Sequence, residues 1–234
     1  MPGTRLVIGL AAALLGLASG CGGEDDGGTE SAAPAFSAAV DHPLVPLSSV
    51  GLTVIEGTER DPGTGETVEL RVESRVLDEP EVVAGVPVAV VDVKEYEDGD
   101  LVEHTLDYYA QRGDGSVWYF GEKVDDYEAG KLVGHTGQWL AGEDGAKAGL
   151  FMPADPAVGQ KFEQEQAPGV AEDLSEVVAV GLEVRTPAGT FSDCVRTKDF
   201  APLDNATEHK LYCPGVGLVR EEAPGVRVEL VRYD

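Results

Sequence analysis

The sequence predicts an all-β fold, an antiparallel meander of about twelve short strands curved into a half-barrel or barrel-like sheet. Apolar residues recur with a period close to two almost everywhere beyond residue 40, and Gly, Asp and Pro punctuate the runs. So many strands laid flat would leave an apolar face and two edges uncovered, so the sheet is expected to curve. The composition suits this: 234 residues, 42% hydrophobic and 26% charged, make one moderate domain, expected over 40–234. Forty-three acidic residues against 17 basic ones give a net charge of −26, a mean field that repels nucleic acid and excludes it as a partner.

The first element is an address. Residues 1–20 carry one base, Arg5, then an apolar run over 6–17 and the small residues Ala18-Ser19-Gly20. That is the anatomy of a secretory signal, too short to span a bilayer. Leu17-Ala18-Ser19-Gly20-Cys21 resembles a bacterial lipobox, with Ala18 where leucine is more usual. The resemblance implies that the Cys21 thiol is lipidated and that the chain is extracytoplasmic, held to the membrane by acyl chains. Residues 21–39 are rich in Gly and acids and poor in large apolar side chains, and read as a flexible tether.

Strands are expected at 52–58, 67–77, 86–96, 101–112, 116–127, 132–140, 161–166, 177–186, 191–200, 208–213, 217–222 and 226–232, with one short helix at 171–178. Three turns suggest registers. Asp98-Gly99 is a two-residue turn signal that pairs Glu97 with Asp100 and, continued without a slip, Val93 with His104. Gly113-Asp114-Gly115 suits a three-residue loop pairing Arg112 with Ser116, and Ala129-Gly130 pairs Glu128 with Lys131. These registers give one consistently apolar face, with Ala89, Tyr108, Phe120 and Trp139 in one row and Val93, His104, Val124 and His135 in another. The other face then sets Glu103 opposite Lys94 as an exposed ion pair. Residues 95–105 recur as 126–136, a likeness that two Gly hairpins explain without a solenoid.

With Cys21 lipidated, Cys194 and Cys213 remain, flanking the turn signal Pro202-Leu203-Asp204-Asn205. If Phe200 faces Thr207, counting back along both strands sets Cys194 directly opposite Cys213, at a separation a disulfide can close. The alternative is two reduced core thiols.

Two constellations could carry chemistry. His104, His135 and Glu122 fall on the chosen face, where a concave sheet would bring them toward one ion or let them act as acid and base in a hydrolase. Against that, a histidine on an apolar face is commonly a hydrogen-bonded core residue, and no His-Glu-x-x-His or Cys-x-x-Cys spacing supports a metal. Eight of fifteen aromatic residues fall between Tyr96 and Trp139. They are either the core of the sheet or, with Tyr108, Trp118, Phe120 and Trp139 beside His104 and His135, the lining of a groove for a lipid or other amphipathic molecule. No phosphate-binding loop, dinucleotide fingerprint or nucleophile elbow occurs, and no cofactor is implied.

Asp107-Tyr108-Tyr109-Ala110-Gln111 through Gly115-Ser116-Val117-Trp118-Tyr119-Phe120-Gly121-Glu122 resembles an uncharacterised family of bacterial secreted proteins and lipoproteins. The likeness extends over 40–230, through Pro187-Ala188-Gly189-Thr190-Phe191 and Pro214-Gly215-Val216-Gly217-Leu218-Val219. Those last two motifs are also similar to the final strands of half-barrel lipoprotein carriers of the envelope. The resemblance implies no catalytic residue. The expected function is therefore a non-catalytic, membrane-anchored lipoprotein that binds an apolar ligand or an envelope partner; a hydrolase or metal protein using His104, His135 and Glu122, and a purely structural lipoprotein, stand as alternatives.

Overall fold

The computed structural model describes residues 35–234, so the segment read as a secretory signal and the expected lipidation at Cys21 lie outside the described residues. The strands are β1 (Phe36–Ser37), β2 (Leu52–Arg60), β3 (Thr67–Val76), β4 (Glu81–Val83), β5 (Val86–Glu97), β6 (Asp100–Arg112), β7 (Val117–Glu128), β8 (Lys131–Gly134) and β9 (Trp139–Leu140). They continue as β10 (Lys147–Met152), β11 (Lys161–Glu163), β12 (Glu165–Gln166), β13 (Leu174–Thr186), β14 (Gly189–Ala201), β15 (Ala206–Cys213), β16 (Gly217–Ala223) and β17 (Val226–Tyr233).

All pairings are antiparallel, and they nearly close a barrel. From β2 the ladder runs one way through β3, β5, β6, β7, β10 and β12, and the other way through β17, β16, β15, β14, β13 and β11. The two ends of that ladder, β11 and β12, are one stretch of chain interrupted at Gln164. A barrel removes the exposed edges that a flat sheet of this length would carry. The expected helix at 171–178 is replaced by the start of β13, because Ser175 and Val177 alternate as buried residues and pair with Asp199 and Thr197 of β14. The expected strand 132–140 is split by a turn over 135–138, and β10 fills a place that the periodicity did not signal. β1 pairs with Gln111 and Arg112 inside the stretch read as tether, and Phe36 packs edge-on to Phe120, so the fold begins earlier than residue 40.

The turns behave as their residues demand. Asp98 and Gly99, and Ala129 and Gly130, all have positive φ, as a two-residue turn matched to strand twist requires. The hairpins β5–β6, β6–β7 and β7–β8 keep the expected pairing only near their tips. Glu97 faces Asp100, but a shift between Glu95 and Tyr96 then sets Val93 opposite Thr105 and Lys94 opposite His104. In β6–β7 the tip register holds through Tyr109 and Tyr119, after which Asp107 faces Glu122. The extra residue lies at Phe120-Gly121, where Gly121 has φ +106° and a Cβ would sit 2.2 Å from the Trp139 carbonyl oxygen. A bulge of this kind turns every later side chain to the other face. Lys94 accordingly pairs with Asp92 at 2.8 Å, and Glu103, expected outside, is buried.

In the β14–β15 hairpin the register has no shift from Ala201–Ala206 to Val195–Tyr212, and Cys194 and Cys213 are joined at the next position. Closing a loop with 19 residues of sequence separation stabilises by about 3 kcal/mol on the chain-entropy estimate.

Three apolar clusters hold the barrel. Outside β5–β7, Val88, Val90, Tyr108, Ala110 and Phe120 pack beneath Val83, Ala141 and Ala146. A second cluster joins Ile55, Val72, Val228 and Leu230 to the disulfide. In the third, Val40, Leu44 and Val45 lie among Ala89, Val117, Met152, Phe162, Val177, Val195 and Tyr212, which come from seven strands. The segment before β2 therefore plugs one end of the barrel. His42 holds it in place: Nδ1 accepts from the Leu44 amide at 3.1 Å, and Nε2 lies 3.1 Å from the Pro153 carbonyl oxygen. Burial keeps this imidazole below its ordinary pKa, so it is the neutral ring that locks the plug.

Candidate functional site

Alternation along the strands decides what faces the interior. β6 points Glu103, Thr105, Asp107 and Tyr109 inward, and its neighbours contribute Val91, Val93 and Glu95 from β5 and Tyr119 and Glu122 from β7. Around the wall, Glu165 comes from β12, Asp173 from the turn before β13, Lys210 and Tyr212 from β15 and Glu221 from β16. Ile55, Val72 and Val76 make the arc formed by β2 and β3 apolar, and Leu44, Val45 and Leu47 of the plug face the same space. The cavity measures about 250 Å³, the room of roughly eight waters at ~30 Å³ each. One arc of its wall is apolar and the facing arc is ionisable.

The electrostatics are unusual for a barrel interior. Seven carboxyls, Glu95, Glu103, Asp107, Glu122, Glu165, Asp173 and Glu221, line the cavity beside one amine, Lys210. Burial first, and repulsion from Asp126 and Asp107 second, push Glu103 up to about 8. Glu221 is likewise raised to about 8 by burial and by Glu208. Asp107 and Asp173 rise to about 6, again mainly through burial. Glu95, Glu122 and Glu165 are raised well above the ordinary carboxyl value by the same two causes. Glu208 is the exception: burial is outweighed by Lys210, whose Nζ lies 2.6 Å from its Oε1, and its carboxyl falls below the ordinary value.

Local bonds organise part of this wall. Asp107 accepts from the Tyr119 hydroxyl at 3.3 Å and the Tyr109 hydroxyl at 3.5 Å, and Ser175 donates to Asp199 at 2.6 Å. Glu122 Oε1 and Glu165 Oε2 are buried without a hydrogen-bond partner among the described residues, and Glu122 and Glu165 are only 3% and 4% exposed. Buried carboxylate oxygens normally find a donor, and one left alone costs about 1–3 kcal/mol or more.

The residues proposed from sequence for an open aromatic groove lie elsewhere. Tyr108, Phe120 and Trp139 are buried in a closed core, and Trp118 packs on Phe36 while donating to Ser116 Oγ at 2.9 Å. Trp139 meets Tyr119 edge-to-face with ring centres 5.6 Å apart. This face is not a groove, because β1, β4 and the 139–146 segment cover it. The two histidines are likewise apart from Glu122. His104 Nε2 lies 3.1 Å from Asp92 Oδ2, and His135 Nδ1 lies 3.0 Å from Asp125 Oδ1 and 2.7 Å from the Val124 carbonyl oxygen. Both rings belong to the outer surface and Glu122 to the interior, so the expected trio does not form; the bulge at Gly121 is the reason. Among the described residues no group of three His, Cys, Asp or Glu side chains is arranged to hold a metal ion.

Sequence reasoning missed the interior carboxyls because a polar residue on a half-apolar strand reads as solvent-facing. One signal was present: Tyr109 and Tyr119 share their alternation with Asp107 and Glu103, which placed large aromatics on the supposedly wet face. Compared with protein-family models, curated proteins and solved structures, the chain matches none.

Proposed function

We propose that the protein is a lipid-anchored, extracytoplasmic lipoprotein whose barrel takes up a small amphipathic molecule and does no covalent chemistry on it. The observation that carries the reading is the interior cavity, plugged at one end, with an apolar arc facing an ionisable one; such a wall suits a ligand with both characters. The likeness of 1–21 to a lipobox signal supports the anchor, and the secreted-lipoprotein motif around Trp118 supports the compartment. The hydrolase alternative loses support, because His104 and His135 pair with outer aspartates rather than with a cavity group.

Two measurements test this reading. Cys21→Ser should move the protein from the membrane fraction to the medium; retention in the membrane would contradict the anchor. Native mass spectrometry of protein purified without added ligand should show an adduct of small-molecule mass. Val93→Trp, which fills the cavity from an apolar position, should lose it while keeping the β-sheet circular dichroism spectrum. An adduct that persists in the folded V93W protein would place the ligand elsewhere.

A further inference from the structure

Resting on the reading of the barrel as a ligand carrier, the geometry points to an organic cation as the ligand: an ammonium or guanidinium group held by Glu122 and Glu165, with its apolar body on the wall of Val72, Val91, Val93 and Phe151. The cavity wall has a large excess of acceptors over donors, since its one lysine is already engaged with Glu208. Two of those acceptors, Glu122 Oε1 and Glu165 Oε2, are buried oxygens of residues that line the cavity, and they receive no hydrogen bond from the described residues. An N–H donor from a ligand supplies what each lacks, and a charge-assisted bond to a carboxylate is about twice as strong as a neutral one. An anion would meet seven carboxyls, and a neutral hydrocarbon would leave the two oxygens unpaired.

The same geometry separates an organic cation from a metal ion. A hard divalent cation gathers six to eight oxygens at about 2.3–2.6 Å, or about six at 2.0–2.1 Å. The carboxyls here are spread over β5, β6, β7, β12 and β16, and no three of them converge among the described residues. A cation of about eight or nine heavy atoms, spanning the space of roughly eight waters, reaches the acidic arc while its body covers the apolar one. Raised carboxyl pKa values add a signature: Glu103 and Glu221, near 8, keep protons at neutrality, so taking in a cation beside them expels protons.

Isothermal titration calorimetry of the purified full-length protein with three probes of matched shape, 2-phenylethylammonium, 2-phenylethanol and phenylacetate, tests this. The ammonium should bind with one-to-one stoichiometry at least tenfold more tightly than the alcohol, and phenylacetate should not bind. Repeating the titration in buffers of different ionisation enthalpy should show protons released. The double variant E122Q/E165Q should erase the preference for ammonium over alcohol while both still bind, which separates the interior from loose attraction to the anionic surface. Equal binding of ammonium and alcohol to the wild-type protein would overturn the cation assignment and leave the carrier reading standing. An unchanged preference in E122Q/E165Q would also overturn it, whereas no binding of any probe would count against both.

Discussion

The two faces of β6 have opposite chemistry at the same depth of burial. Outward, Leu106, Tyr108 and Ala110 pack into a closed hydrophobic layer beneath β1 and β4, and Tyr108 is fully buried. Inward, Glu103, Thr105 and Asp107 alternate with them along the same stretch of chain and look into a cavity lined by carboxyls. Glu103 is only 8% exposed. In most barrels the inner positions supply the core; here, over β5–β7, much of the apolar packing sits outside and the ionisable groups within. That inversion shows that burial alone does not identify the core of this fold. The outer layer contributes stability, and the inner layer gives up stability by burying carboxyl oxygens without a partner among the described residues.

This division can be broken from either side. The largest effect is expected from Tyr108→Ala, which removes a fully buried ring from the outer layer. It should cost about 3–5 kcal/mol, by analogy with large aromatic truncations, and be read as a fall in the thermal midpoint. Binding per folded molecule should stay unchanged, and a selective loss of binding would return the ligand to the outer aromatic face.

A smaller effect is expected from pH acting on the inner layer. A carboxyl whose pKa is raised in the fold holds its proton more tightly there than in the unfolded chain. Its contribution is therefore complete below its unfolded value near 4.5 and is lost as pH rises through the folded value. Glu103 and Glu221, both near 8, spread that loss from about pH 4.5 to about pH 8, and its last part falls between pH 7 and pH 9. His42 and His209, whose pKa values are lowered, act in the opposite direction only below about 6.5 and leave this window untouched. The thermal midpoint should fall by several degrees from pH 7 to pH 9, at about 2–4 °C per kcal/mol for a domain of this size. In an E103Q/E221Q variant that slope should become shallower, with the share of Glu95, Glu122 and Glu165 remaining. The smallest effect is expected from His104→Ala, which removes a half-exposed pair with Asp92; a change within about 0.5 kcal/mol, by chemical denaturation, would confirm that this ring supports neither layer.

The same contrast explains what was legible in the sequence. Turn chemistry was local and readable: Asp98-Gly99, Gly115 and Ala129-Gly130 form the expected turns, and the unshifted β14–β15 ladder joins Cys194 to Cys213. The meander β5–β7 is antiparallel as its periodicity predicts, but the register shifts exchange its faces beyond the tips. A bulge costs one residue and leaves only a faint trace, here the glycine at 121. Demanding one apolar face selects the outer layer, since Tyr108 and Phe120 are indeed buried together, and assigns Glu103 and Asp107 to solvent. Nothing local marked Glu165, Lys210 or Glu221 as partners of that wall, because only closure of the barrel through β11 and β12 brings them round to it.

The central claim is that the carboxyls of β5–β7 and β16 are interior groups. Its most direct measurement is a carboxyl-carbon NMR titration of protein labelled at Asp and Glu, with Glu103→Gln and Glu221→Gln to assign the resonances. The account predicts midpoints near 8 for Glu103 and Glu221 and near 6 for Asp107 and Asp173. If all carboxyls instead titrate in the ordinary range around 4, the inner face of β6 is in water and the acidic cavity does not exist.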